Sequence, residues 1–306
     1  MRKELYGYLA VVAAAAMWGI GGSVAKFLFN QSVSPYLLVK IRLTLSFFIV
    51  MIGLLIYDRR MLQIPKHEIR YFAFLGICGM AMLQFFYFLT ISLTNVATAV
   101  FLQYLAPVLM ALHAVFWEKA ILGWQGTLAV ALATLGGLFI MLNSGGVSGI
   151  SILGVASGLL AAFFMAFNSI HSRRAVREYN PVTAIMYFFG FAALFWWVVT
   201  PYTWEPGSIT ASHWLMFLYI AVFSTIVPFC LYFVGIRFLS PTSVGVTACL
   251  EPVIAAFVAY AALGEVMGLL QIAGGLLVVA AVILIQFAPN QSPAPAAPKN
   301  EKTASG

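Results

Sequence analysis

The sequence predicts an all-α integral membrane protein with ten transmembrane helices, arranged as two inverted five-helix repeats. Three observations predict it: the composition, ten apolar runs, and a set of features that recurs after about 146 residues. Of 306 residues, 63% are hydrophobic and 8% are charged. A soluble domain carries roughly a quarter charged residues, so these cannot cover a water-exposed surface. That excludes an ordinary soluble enzyme. The net charge of +7 is scattered between apolar runs, not gathered into a nucleic-acid-binding patch. Cys78, Cys230 and Cys249 all fall inside apolar stretches, which fits neither a disulfide framework nor a metal cluster.

The runs cover 6–29, 35–57, 70–92, 95–116, 122–142, 149–171, 181–200, 211–235, 241–262 and 268–287. A membrane helix needs about 20 apolar residues, and a helix satisfies its own backbone in lipid. The first run begins behind Arg2 and Lys3, as a signal peptide would, but continues through Trp18 to Phe29 and is expected to be retained. The second opens at Pro35 and carries Lys40 and Arg42. The third holds Gln84 and Tyr87, and the fourth Gln103, Tyr104 and Pro107. The fifth is almost wholly small and aliphatic. The sixth carries Phe164, Asn168 and His171 at helical spacing. The seventh opens at Pro181, the eighth holds Tyr232, and the ninth holds Thr247, Glu251 and Pro252. The tenth resembles the fifth in composition. Residues 289–306, rich in Pro, Ala, Ser and Lys, read as a disordered cytoplasmic tail.

Orientation follows from charge. With the N-terminus cytoplasmic, the inner segments hold Arg2, Lys3, Arg59, Arg60, Lys66, Arg70, Lys119, Arg173, Arg174, Arg177, Arg237, Lys299 and Lys302, and the outer loops hold no Lys or Arg. Lys26, Lys40 and Arg42 lie within runs, near the outer side. This asymmetry places both termini in the cytoplasm and Trp204 in an outer loop, where an interfacial aromatic belongs.

Ser23 and Pro35 align with Ser169 and Pro181, both 146 residues on. Phe86-Tyr87-Phe88 aligns with Leu231-Tyr232-Phe233, Pro107 with Pro252, and Glu118 with Glu265. Five crossings per copy is an odd number, so the second copy enters from the opposite side. The expected division is therefore 1–145 for the first repeat, 146–288 for the second, and 289–306 for the tail. Inverted repeats are common in secondary transporters.

The ten-run layout, Trp18-Gly19, Leu250-Glu251-Pro252 and Gly264-Glu265 resemble the drug/metabolite transporter superfamily, EamA type, over about residues 6–287. The aromatic interiors are most similar to those of bacterial aromatic amino-acid exporters of that superfamily. The resemblance implies an exporter of the bacterial plasma membrane whose fifth and tenth helices are outer supports. Ala106 stands where the second half has Glu251, so the halves are functionally unequal.

Amides and hydroxyls buried in lipid need partners or water. They fall in runs one, three, four, six, eight and nine, which are read as the walls of a central cavity. Its expected substrate-binding residues are Trp18, Gln84, Tyr87, Tyr104, Phe164, Asn168 and Tyr232. The same residue types also bond helices together, so packing is the competing reading for each one. Pro107 and Pro252 are read near mid-helix, as paired hinges or static kinks. Glu251 is read as a coupling acid, a site for a substrate ammonium, or a structural acid. The last is preferred, since no titratable partner accompanies it. Arg42 has three readings: holding a substrate carboxylate, pairing with Glu251, or snorkelling to the interface, which is expected of Lys40. Glu118 and Glu265 suit helix N-termini.

The sequence thus predicts a secondary transporter that exports small metabolites, aromatic or otherwise apolar amino acids among them, by alternating access, without cofactor or metal. Its partners are the small-molecule substrate and lipid. The alternatives are a carrier for other amphiphiles or drugs, a channel, and an intramembrane enzyme acting on a lipid-linked substrate. Enzyme motifs are missing: Gly22-Ser23 lacks the glycines of a nucleophile elbow, and neither a zinc-protease pair nor a phosphate-binding loop follows the required spacing.

Overall fold

The computed structural model describes residues 2–119, 123–142, 152–200, 209–239, 244 and 247–287. The predicted tail, Trp204 and the start of the ninth run lie outside these residues. Among the described residues all regular structure is helical. Seven helical segments are long and apolar enough to cross a membrane, and three further apolar helices are shorter: Trp124–Ile140, Leu250–Leu263 and Leu269–Leu284.

The first half begins with α1 (Arg2–Asn30) and α2 (Pro35–Tyr57). Next comes α3, built from Ile69–Phe74, a π-helical stretch Leu75–Ala81, and Met82–Leu93. It continues with α4 (Val96–Gln103), α5 (Ala106–Glu118) and α6 (Trp124–Leu142). The second half comprises α7 (Ile152–His171), the short α8 (Arg173–Glu178) and α9 (Pro181–Val199). It ends with α10 (Ala211–Ala221, π-helical Val222–Ile226, Val227–Phe238), α11 (Leu250–Leu263) and α12 (Leu269–Phe287).

Matched devices set the ends. Ser34 and Asn180 accept the backbone N–H of Leu37 and Val182, and a proline follows each cap as the first helical residue. Such a cap is worth about 1 kcal/mol, and proline at the first position loses no helical hydrogen bond. The chain turns left-handed at Lys119 (φ 54°) after α5 and at Gly264 (φ 66°) after α11. Glycine adopts that conformation freely.

The fourth run is not one helix. Proline has no N–H and its ring crowds the carbonyl four residues back, so the helix stops at Gln103 and restarts at Ala106, with Pro107 in the first turn. Pro252 likewise sits in the first turn of α11, after the turn at Cys249. Pro107 thus lies near the middle of the membrane-length segment Val96–Trp117, as expected, and each proline opens a new helical piece inside its apolar run.

Packing exchanges between the halves. α1 packs on α10 and α11, as α7 packs on α3 and on α4 and α5. α2 packs on α9 and α10, as α9 packs on α2 and α3, and α6 pairs with α12. At that last crossing a Cβ on Gly136 would lie 2.6 Å from the Gly274 carbonyl oxygen and 3.0 Å from Val278 N, while one on Gly274 would lie 2.6 Å from the Gly136 carbonyl oxygen and 3.0 Å from Ile140 N. Residue numbers rise on one helix as they fall on the other, so the pair is antiparallel, and only glycine permits so close an approach. The main core spans α1–α4, α7 and α9–α11. A second cluster, around Leu102, Ala133 and Val278, seats α6 and α12 against it.

Candidate functional site

α1 supplies the centre. Gly19 lets it touch α11: a Cβ there would stand 2.9 Å from Ala255 N and 3.3 Å from the Glu251 carbonyl oxygen. The neighbouring Trp18 meets α10, with ring centroids 5.7 Å from Tyr232 and 5.4 Å from Phe229. One turn later Gly22 faces α3, where a Cβ would lie 3.4 Å from the Tyr87 hydroxyl. The break between α4 and α5 presents Tyr104, whose hydroxyl lies 2.6 Å from the Ala248 carbonyl oxygen and 3.1 Å from Glu251 Oε2. A tyrosine has one hydroxyl hydrogen, so it donates to one of these acceptors at a time.

Electrostatics ties the group together. The Tyr87 hydroxyl feels the charges of both Arg42 and Glu251. Tyr104 shares the field of Glu251 and Tyr232. The structure therefore gathers Trp18, Tyr87, Tyr104, Tyr232 and Glu251 around one face of α1. Trp18, Tyr104, Tyr232 and Glu251 are half-buried, so packing does not consume their whole surface.

Other predicted residues go elsewhere. Phe164 stacks on Phe86 with centroids 5.5 Å apart and planes 4° apart. Asn168 fits against the π-helical stretch of α3, its Oδ1 2.6 Å from where a Cβ on Gly79 would be. Both serve the α3–α7 contact. Gln84 turns towards Arg42, whose Nη1 donates to Gln84 Oε1 at 2.9 Å. Pro107 and Pro252 flank the cluster as the openers of α5 and α11.

Lys40, five residues into α2, is 1% exposed; its amine reaches the end of α9, where it donates to the Thr200 carbonyl oxygen and lies 4.6 Å from the Trp197 ring centroid. That carbonyl belongs to the C-cap of α9, a helix end that favours a cation. Arg42 neither snorkels nor pairs with Glu251. Its Nε donates to Thr225 Oγ1 at 2.6 Å and its Nη2 to the Ser224 carbonyl oxygen at 3.1 Å. Ser224 and Thr225 belong to the π-helical stretch of α10 and had not stood out in the sequence, because such a stretch has the composition of any apolar helix.

A groove of about 640 Å³ opens between α1, α10 and α11, lined by Ile20, Phe27, Leu215, Tyr219 and Val258 among others. A smaller cavity of about 140 Å³ is bounded by Lys40, Trp197 and Trp214. None of the seven predicted binding residues lines either one.

The family model of the EamA-like transporter family matches residues 5–142 and again residues 152–287. An uncharacterized inner membrane transporter, YicL, of Salmonella typhimurium is 27% identical over 289 residues, covering 92% of this chain and 95% of that protein. An uncharacterized transporter of Archaeoglobus fulgidus is 27% identical over 284 residues, covering 91% of this chain and 96% of that protein. One solved structure is similar in fold, with a TM-score of 0.61 at 20% identity, over 92% of this chain and 96% of that one.

Proposed function

The chain belongs to the EamA-like transporter family, and from that premise we propose that it is a secondary carrier of the bacterial inner membrane, exporting aromatic and other apolar amino acids by alternating access. In this reading the chain crosses the membrane ten times, as two inverted five-helix repeats with both termini cytoplasmic. The name of the Salmonella relative supports the location, and the charge asymmetry of the loops supports the orientation.

The observation that carries the proposal is the pair of interrupted helices beside the ring cluster. α4 stops at Gln103, four residues before the proline of α5, and α11 begins at Leu250, next to Glu251 and Pro252. Tyr104, at the first break, reaches Ala248 and Glu251 at the second. Transporter sites are built at such discontinuities, where backbone groups are released and a bend requires little work. The faces of Trp18, Tyr87 and Tyr232 suit a flat apolar side chain. The exchange of packing partners between halves suits two states related by swapping their roles. Glu251 acts in this reading as a structural acid that joins α11 to the α4–α5 break, so transport runs down the substrate's own gradient.

Counterflow in proteoliposomes tests it. Vesicles preloaded with unlabelled phenylalanine should take up labelled phenylalanine faster than empty ones. A rate independent of preloading would mean a channel, and no exchange with any aromatic amino acid would reject the substrate class. For orientation, cysteine at the exposed Ser212, in a chain freed of its native cysteines, should react with an impermeant reagent in intact cells. Cysteine at Ser172 should not, and the reverse pattern would overturn the topology.

A further inference from the structure

Three cations lie inside the apolar runs, and two of them end where negative charge resides. Lys26 Nζ donates to the carbonyl oxygens of Ile91 (3.0 Å) and Thr94 (2.6 Å), at the end of α3, with Glu265 in electrostatic reach. Lys40 caps α9 at Thr200. Arg42 differs. It is 4% exposed, lies seven residues into α2, and is held by neutral groups from α3 and α10: Gln84 Oε1, Thr225 Oγ1 and the Ser224 carbonyl oxygen. The ring centroid of Phe88 lies 5.0 Å from its guanidinium carbon. Among the described residues no carboxylate pairs with it.

A guanidinium does not give up its proton in a protein, and a buried charge without a counter-ion is strongly unfavourable. Packing alone does not call for the charge. The position 146 residues on is Phe188, which fills the corresponding place on α9 as an apolar, 3% exposed side chain. The three hydrogen bonds to Arg42 engage one N–H on each of its nitrogens, leaving one on Nη1 and one on Nη2. Two unengaged N–H groups on a guanidinium are donors that a carboxylate accepts. Gln84 and Thr225 fix the plane of the guanidinium. Tyr87, one turn after Gln84, lies within the field of Arg42 and also within that of Glu251, at the ring cluster.

We propose that Arg42 is the carboxylate anchor of the substrate site: the transported molecule carries a carboxylate that pairs with the free Nη edge while its apolar part lies among Tyr87, Trp18 and Tyr232. This rests on the carrier reading above and narrows it to substrates bearing a carboxylate. Amines and cationic drugs of the same ring size are excluded, since they would bring a second cation to Arg42.

The test uses three molecules with one ring: phenylalanine, phenylalaninamide and 3-phenylpropionate. Each competes for labelled phenylalanine counterflow in proteoliposomes and is scored for thermal stabilisation of the purified full chain. Phenylalanine and phenylpropionate should compete and stabilise. The amide, which keeps the ring and the ammonium, should be at least about tenfold weaker, because a charge-assisted pair is lost. Arg42→Gln should abolish the difference between acid and amide, and Arg42→Lys should retain part of it. If Arg42→Gln does not fold, the acid–amide comparison in the wild type decides alone. An amide that exchanges as well as phenylalanine would remove the anchor and leave the carrier standing. Failure of all three to exchange or stabilise would remove the carrier reading for this substrate class, and the anchor with it.

Discussion

The two halves meet their π-helical stretches with opposite chemistry. In α3 the stretch Leu75–Ala81 is covered by apolar and amide groups: a Cβ on Gly76 would lie 3.0 Å from the Phe188 carbonyl oxygen, and one on Gly79 would lie 2.6 Å from Asn168 Oδ1. In α10 the stretch Val222–Ile226 is covered by Gly21 from α1 and by the guanidinium of Arg42 from α2. The geometry is shared, but glycine and polar partner have changed sides, and a phenylalanine is replaced by an arginine. A second asymmetry lies at the breaks, where Glu251 of α11 corresponds to Ala106 of α5. The shared geometry is what the proposed exchange of conformations between the halves requires. The unshared charges, Arg42 and Glu251, both act electrostatically on Tyr87, and the proposed binding site lies where the symmetry fails.

The largest effect is expected from erasing the difference. Phe188→Arg would place a further buried cation at the π-helical stretch of α3, where no set of acceptors like that around Arg42 is in place. It should destabilise the protein by several kcal/mol, read as lost folded yield and a lowered midpoint of thermal unfolding in detergent. Phe188→Met, of similar bulk and apolar, should cost less than about 1.5 kcal/mol. A well-folded Phe188→Arg would mean that a π-helical stretch alone accommodates a guanidinium, and the contrast between the halves would lose its energetic basis.

Substitution within the ring cluster should act on transport rather than on folding. Trp18→Ala or Tyr232→Ala, at half-buried rings, removes ring surface worth about 1.5–3 kcal/mol when covered by substrate, so exchange should fall about ten- to a hundredfold while folded protein is still recovered. Wild-type exchange in both variants would leave these rings as packing residues.

Glu251→Gln sharpens the second asymmetry and should have the smallest effect. The amide keeps the shape and still accepts the Tyr104 hydroxyl, so the loss is about that of one altered hydrogen bond, ~1 kcal/mol. Transport should persist at a reduced rate with an unchanged pH dependence. Accumulation driven by an imposed pH difference, and abolished in this variant, would make Glu251 a proton site instead.

Much of the architecture was legible because it is local. The apolar runs, and the openings of two of them at Pro35 and Pro181, are each set by neighbours in sequence. The break at Tyr104 was half legible: proline announced it, but whether a helix bends through a proline or restarts behind it is decided by neighbours. The site was less legible. Arg42 sits two residues from Lys40 and looks like an interface residue until folding brings Gln84, Ser224 and Thr225 to it from 42, 182 and 183 positions away. Phe164 and Asn168 share a polar-aromatic face with the right spacing, but spacing does not say whether a cavity or a neighbouring helix covers that face.

The central claim is that two structurally matched halves exchange roles around one asymmetric site. Spin labels at Ser92, on the outer end of α3, and at Val266, between α11 and α12, measure it most directly in a chain freed of its native cysteines. Alternating access predicts two distance populations in lipid nanodiscs, with phenylalanine shifting their ratio and phenylalaninamide leaving it in place. A single distance, unchanged by phenylalanine in protein that exchanges it, would contradict the account.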